Sequence, residues 1–206
     1  MVEVFARGRQ KDLNELITRM AYIAELKEWD NRQHIERIRR YCQLISSALG
    51  MSEHDCEVIA SASQLHDVGK ITTPEALLTK GGQYTDEEWV IVERHAYAGA
   101  EILAGSTSSI LEMAASIAQT HHERWDGSGY PTGLAGDKIP LSGRICALAD
   151  VFDALTTKRN YKVPVGLEKA QGMIQQASGV MFDPALVRVF DQRYDEFCRI
   201  KQTLGG

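Results

Sequence analysis

The chain has 206 residues, of which 44% are hydrophobic and 25% charged, with a formal net charge of -5. Such a length supports one sizeable core with a small appendage, and the composition is that of an ordinary globular protein. The acidic balance argues against broad binding of nucleic-acid polymers, though not against a small phosphorylated ligand, for which a few local cations suffice.

Glycines and prolines punctuate the sequence, and between them the apolar period is helical nearly everywhere. Leu13, Leu16, Ile17, Met20, Ile23, Ala24 and Lys27 recur at three- and four-residue steps and predict a first helix ending near Trp29. The stripe suits packing on the main body and a parallel seam with a second copy equally well. A second helix is expected from about His34 to Leu49, stopped by Gly50. Ser52 with Asp55 resembles a capping box and opens a third helix through Gln64. Thr85 with Glu88 is a cleaner box, starting a helix that carries Trp89, Val92 and His95. Another helix covers Ile110 to Thr120, and the Gly- and Pro-rich stretch from Asp126 to Gly143 is a loop with room for a short hairpin. Helical spacing returns from Arg144 to Thr157, and Asp183-Pro184 opens a final amphipathic helix through Phe190 and Phe197. Strand-like alternation is nearly absent, so the expected class is all-α. No run approaches the roughly 20 apolar residues of a membrane span, and MVEVFARGRQK at the N-terminus lacks a signal-peptide core. Cys42, Cys56, Cys146 and Cys198 are scattered without a CxxC pair and read as buried thiols in a reducing cytoplasm.

Five of the six histidines keep suggestive company. His66-Asp67 ends the third helix just before Val68-Gly69-Lys70, and His121-His122 ends another ahead of Glu123 and Asp126-Gly127. His34 opens the second helix, His95 lies within the fourth, and Asp150 follows the glycine-rich loop. His54, between Glu53 and Asp55, fits no motif and is expected to bind nothing. Singly, a helical histidine is more often a satisfied polar residue than a ligand. Together, nitrogen and oxygen ligands from several helices, without cysteine, suit Mn(II), Fe(II) or Zn(II) in a helical bundle. A carboxylate beside an imidazole is placed to bridge two ions, and ions about 3.5–4 Å apart serve in-line attack on a phosphodiester.

His66-Asp67, with His34 upstream and Asp150 downstream, resembles the H…HD…D signature of the HD superfamily of metal phosphohydrolases. HHERWDGSGYP from His121 to Pro131 resembles the extension that defines the HD-GYP subfamily. HDVGK, the stretch Pro74 to Lys80 and DVFDALTTKRNYK from Asp150 to Lys162 also match, so the resemblance runs from about Trp29 to Phe190. It implies an all-α HD bundle with a GYP loop over residues 29–206, preceded by a linker or dimerisation helix over residues 1–28. His34, His66, Asp67 and Asp150 would hold a first divalent ion and His95, His121 and His122 a second, with Asp67 bridging. Iron or manganese is the expected metal, with zinc or nickel compatible. Family members with a third ion place a glutamate four residues before the first histidine; here that residue is Asp30, one methylene shorter, which weakens the case for a third ion. Asp67 and Lys70 would be catalytic, Lys70 reaching a phosphoryl oxygen. Tyr130 would offer a face to a guanine and a hydroxyl to a phosphate, while Arg159 and Lys162 would clamp the second phosphate or a base. Asp153, one turn beyond Asp150, would contact substrate, or orient a ligand or a water; from spacing alone it is equally a helix-face carboxylate.

The implied activity is hydrolysis of cyclic di-GMP to pGpG or GMP in bacterial second-messenger signalling, with related cyclic GMP-AMP dinucleotides also within the family. Members with degenerate ligands act instead as nucleotide sensors or docking modules, and the full ligand set here favours catalysis. A nucleotidase or cyclic-mononucleotide phosphodiesterase would leave the GYP segment, Arg159 and Lys162 with less to contact. The family usually attaches this domain to a sensory or receiver module. None fits within Met1 to Glu28, so the first helix is expected to be a linker remnant or a free-standing helix that forms a homodimer.

Overall fold

The computed structural model describes residues 2–26, 31–158 and 164–205. The helices are α1 (Val2–Ala24), α2 (Asn31–Ala48), α3 (Glu53–Ser63), α4 (Glu75–Leu78), α5 (Asp86–Leu103) and α6 (Ser109–Thr120), followed by α7 (Leu141–Thr156), α8 (Leu167–Gln176), α9 (Pro184–Gln192) and α10 (Tyr194–Leu204). Two 3-10 turns, Val68–Thr72 and Gly136–Lys138, complete the order. Among the described residues the only extended pairing is an isolated bridge between Ser178 and Phe182. The fold is an all-α bundle.

Local chemistry sets the helix ends. Gly50 takes φ +77° just past α2, a conformation that costs other residues a Cβ clash. Ser52 accepts from the Asp55 amide to start α3, Thr85 and Glu88 form the reciprocal capping box of α5, and Asp183 caps α9 ahead of Pro184. α2 is the spine of the core. Its Ile35, Ile38, Tyr41, Cys42 and Ile45 are fully buried, packed with Ile59 and Leu65 near α3, Ile117 of α6, and Ile145 and Phe152 of α7. Tyr41 stacks on Phe197 at 4.8 Å, and Phe152 and Phe190 meet the same ring cluster edge-on, which pins α9 and α10 across α2 and α7.

The first helix divides its stripe. Ile17, Ala21 and Ala24 enter the common core, while Leu16 (59%), Met20 (46%) and Ile23 (57%) remain exposed. The expected helix end near Trp29 and the boundary after residue 28 lie outside the described residues. Two expectations need correction. The loop from Asp126 carries no hairpin: it closes with a 3-10 turn, and α7 already begins at Leu141, behind Pro140. The last helix is two helices, broken at Arg193 (φ -111°, ψ 13°), which lets both Phe190 and Phe197 reach the ring cluster from separate axes. No glycine or proline announces that break. Cys42, Cys56 and Cys146 are buried free thiols, Cys198 is half-buried, and no described helix is long and apolar enough to cross a membrane.

Candidate metal centre

Close backbone crossings bring the ligand-bearing segments together. A Cβ on Gly69 would lie 1.9 Å from the His95 carbonyl oxygen and 2.5 Å from the Gly99 amide nitrogen. Only glycine therefore lets the Val68–Thr72 turn press against α5, which sets Asp67 beside His95. Gly143 does the same for α7 against the end of α6, where a Cβ would meet the Thr120 hydroxyl at 2.1 Å. At Gly129 a Cβ would fall 2.5 Å from the His122 carbonyl, so the Gly-rich loop folds back onto the double histidine.

Asp67 stands at the middle. Its Oδ1 lies 3.3 Å from His95 Nε2 and 3.5 Å from His121 Nε2, and its Oδ2 lies 3.3 Å from His66 Nε2 and 2.7 Å from Lys70 Nζ. His122 Nε2 is 3.1 Å from His95 Nε2. On the other side, Asp150 Oδ1 is 3.9 Å from His66 Nε2 and 4.0 Å from His34 Nε2. Two groups offer ligand atoms within 4.8 Å of one another: Asp67, His95, His121 and His122, and Glu25, His34 and His66.

The imidazoles are aimed by their outer nitrogens. Nδ1 of His66 donates to Ser63 O (2.9 Å), that of His95 to Val92 O (2.7 Å) and that of His121 to Ala118 O (3.0 Å). A carbonyl only accepts, so each Nδ1 carries a proton and each Nε2 is turned inward. His34 is held by Asp153 Oδ2 at 2.8 Å. Asp153 is itself buried and gripped by Arg37, so it faces away from any substrate. Of its two expected uses, direct substrate contact is not what the structure provides; it orients His34 from behind.

The donor set fits divalent cations. Among the described residues Glu25 Oε1, His66 Nε2, Asp67 Oδ1 and His121 Nε2 are buried without a hydrogen-bond partner, although buried polar atoms are nearly always paired. Ligand atoms about 2.0–2.2 Å from one ion stand about 3.0–3.5 Å apart. The spacings around Asp67, His95, His121 and His122 match that edge length; those at Asp150 are wider. The field around His66 is negative: burial alone would lower its imidazole, but Asp67, Asp150 and Glu25 outweigh it and raise it to about 10, so a bound cation would take the place of the Nε2 proton. Burial pushes the Glu25 carboxyl up to about 7 against the pull of His34 and His66. His121 and His122 are pushed down by burial, which favours the neutral, metal-binding form.

At the mouth, Tyr130 stacks on His122 (4.7 Å, 25°), and burial raises its phenol, so the hydroxyl remains a donor. Exposed Trp89 approaches Tyr130 edge-on at 6.4 Å and stacks on Tyr84, extending an aromatic row outward. Glu123, buried beneath, accepts from the Thr132 amide (2.9 Å), the Thr132 hydroxyl (2.6 Å) and the Leu134 amide (3.0 Å), which locks the loop's shape. Asp30, Arg159 and Lys162 lie outside the described residues, and His54 is exposed in the first turn of α3, in neither cluster.

A family model described as HD domain matches residues 18–186. The chain belongs to the HD-domain family. Its relatives place it in the HD-GYP-like branch. It is 43% identical over 91% of its length to a cyclic di-GMP phosphodiesterase of Thermotoga maritima, and 42% identical over 92% to 3'3'-cGAMP-specific phosphodiesterase 2 of Vibrio cholerae. It spans 51% and 36% of those two proteins. In fold it is similar to a crystal structure of a cyclic GMP-AMP specific phosphodiesterase of V. cholerae, with TM-score 0.64 and 23% identity over 91% of this chain and 53% of that one. Glu25, Arg37 and Glu123 were not singled out as site residues by the HD-GYP motifs. A signal existed for Glu25: it lies four residues after Ala21, where the α1 stripe calls for an apolar side chain.

Proposed function

We propose that this HD-GYP domain hydrolyses a phosphodiester bond of a cyclic dinucleotide, cyclic di-GMP to pGpG or GMP, in second-messenger signalling. The observation that carries the reading is the convergence of five imidazoles on Asp67 and Asp150, with inward-facing buried atoms that have no other partner. Asp67, His95, His121 and His122 would hold one divalent ion, and His34, His66, Asp150 and the second oxygen of Asp67 the other. Iron or manganese suits this nitrogen and oxygen set best, with zinc or nickel as substitutes. Bound there, such ions supply hydroxide near neutral pH and offset charge on the non-bridging phosphoryl oxygens.

The remaining work falls to the protein. Lys70, on the rim and paired with Asp67, adds a positive charge for a phosphoryl oxygen worth a few kcal/mol in a dry site. Tyr130 offers its hydroxyl to phosphate; one ring face is already taken by His122, which leaves the other and the Trp89 edge for a base. Arg159 and Lys162 are assigned the second phosphate or a base from the motif alone. The V. cholerae relative supports cyclic GMP-AMP as a second substrate. Turnover of both dinucleotides by metal-loaded protein, with Asp67→Ala as the control, tests the proposal. Tight binding without turnover would give the domain to sensing.

The lengths of the relatives support attachment to a sensory or receiver module, and a cytoplasmic setting follows from the nucleotide substrate. Leu16, Met20 and Ile23, exposed at steps of four and three, support a homodimer through α1. Light scattering on the chain with and without Met20→Glu checks it: the variant should run at half the mass.

A further inference from the structure

Among the described residues, Glu25 is the one strongly buried carboxylate at the centre that no motif accounts for. It is 3% exposed, and its Oε1 has no hydrogen-bond partner among the described residues. It continues the register of α1, with its amide bonded to Ala21 O at 3.2 Å, so the helix that sends Ile17, Ala21 and Ala24 into the core sends Glu25 in beside them. There its carboxylate offers an oxygen within 4.8 Å of ligand atoms on His34 and His66. An apolar side chain would serve if packing were the only need at this position. A buried, unpaired carboxylate is costly unless a cation meets it.

We propose that Glu25 is a metal ligand, delivered by α1 to the His34/His66 end of the centre. Two imidazoles with a carboxylate form a donor set that Fe(II), Mn(II) and Zn(II) all accept. The ligand sits nine residues before His34, not at Asp30, the position four before it. Its source is the first helix, whose other face is exposed. Movement of α1 would therefore carry a ligand with it, coupling whatever engages that helix to cation occupancy. The inference rests on the metal-centre reading given under the proposed function.

The test uses the full chain, stripped with EDTA and dialysed against graded Mn(II), with bound metal counted by mass spectrometry and free Mn(II) by paramagnetic resonance. Glu25→Gln should lose one equivalent, or bind it about tenfold or more weakly, while the ion at His95, His121 and His122 is retained. Melting supplies the second readout. Without metal, Glu25→Gln should melt at or above the wild type, because a buried unpaired acid has gone; the rise in Tm on adding Mn(II) should be smaller than in wild type. Wild-type stoichiometry and affinity in Glu25→Gln overturn the proposal, as does an equal loss of Tm with and without metal. Loss of the ion in Asp30→Asn alone would give the part to that position instead. Wild-type protein that binds no Mn(II) would bring down the metal-centre reading itself, so the two failures are told apart.

Discussion

Arg37 is fully buried, and its guanidinium makes a two-point contact with Asp153, Nε to Oδ1 at 2.5 Å and Nη2 to Oδ2 at 3.0 Å. It also donates to Gly205 O (2.6 Å) and Thr157 Oγ1 (3.2 Å). Arg37→Met keeps most of the volume and removes every one of these bonds. Asp153 is then a buried carboxylate facing little but His34 and the Thr157 hydroxyl. Breaking a buried pair from one side costs about 3–5 kcal/mol, a large part of the roughly 5–15 kcal/mol that holds a domain folded. The double variant Arg37→Met/Asp153→Leu should recover most of that loss, because replacing both partners with apolar groups is often neutral. It should not recover metal binding, since His34 has lost the carboxylate that orients it; affinity at that end should fall about 10–100-fold. Urea unfolding in EDTA gives the first quantity and Mn(II) titration the second. A cost below about 1 kcal/mol for Arg37→Met, or wild-type Mn(II) affinity in the double variant, would refute the reasoning.

Gly69→Ala should separate Asp67 from His95, because the new Cβ meets α5 backbone that cannot yield; the expected loss is at least about 1–3 kcal/mol together with the ion at His95. Gly172→Ala in α8, where nothing lies within 4 Å, should instead stabilise by about 0.5–1 kcal/mol. Chemical unfolding and metal counting on the pair check both signs. Glu123→Ala removes three bonds to the loop and should cost about 2 kcal/mol or more; it should also speed proteolysis between Asp126 and Gly136, read by limited digestion. Burial alone would raise the Asp153 carboxyl, but hydrogen bonds from His34 and Arg37 outweigh it and hold it well below the usual carboxylate range. Its contribution to stability is thus complete above the unfolded value of about 3.9 and is lost as pH falls below that through the folded value. Asp153→Asn should flatten the acid limb of a metal-free stability profile below about pH 4, measured by urea midpoints.

The helix starts legible in the sequence were those with a side-chain cap, while Ile110 to Thr120 and the helix after the Gly-rich loop were read from their apolar spacing alone. α3, α5 and α9 open at Ser52, Thr85 and Asp183, where the side chain itself closes the first turn. α8 was not foreseen: it follows Gly166 without a side-chain cap and buries only Ala170 and Ile174, too little to mark a stripe. The break at Arg193 was invisible because arginine is a good helix former and the ring cluster alone demands the bend. At the site, His-Asp and His-His adjacency gave the residues that meet, since neighbours in sequence need no tertiary step to be neighbours in space. Asp153 was left open and Glu25 unread for the opposite reason. Asp153 is 119 residues from His34, and whether a carboxylate one turn from Asp150 faces substrate or the back of an imidazole depends on where Arg37 stands.

That contrast also describes how the centre is held. His66, His95 and His121 are anchored by carbonyls three residues back in their own segments, so each is aimed as soon as its local turn forms. His34 is aimed only when α2 and α7 have packed, through a carboxylate that Arg37 must neutralise, and Glu25 arrives only when α1 has docked. Three imidazoles are therefore aimed by local structure, while His34 and Glu25 depend on assembly of the bundle. The His34 end is the one through which a change in the packing of α1 would reach the chemistry; the His95 end would feel it only through Asp67, whose two oxygens face both.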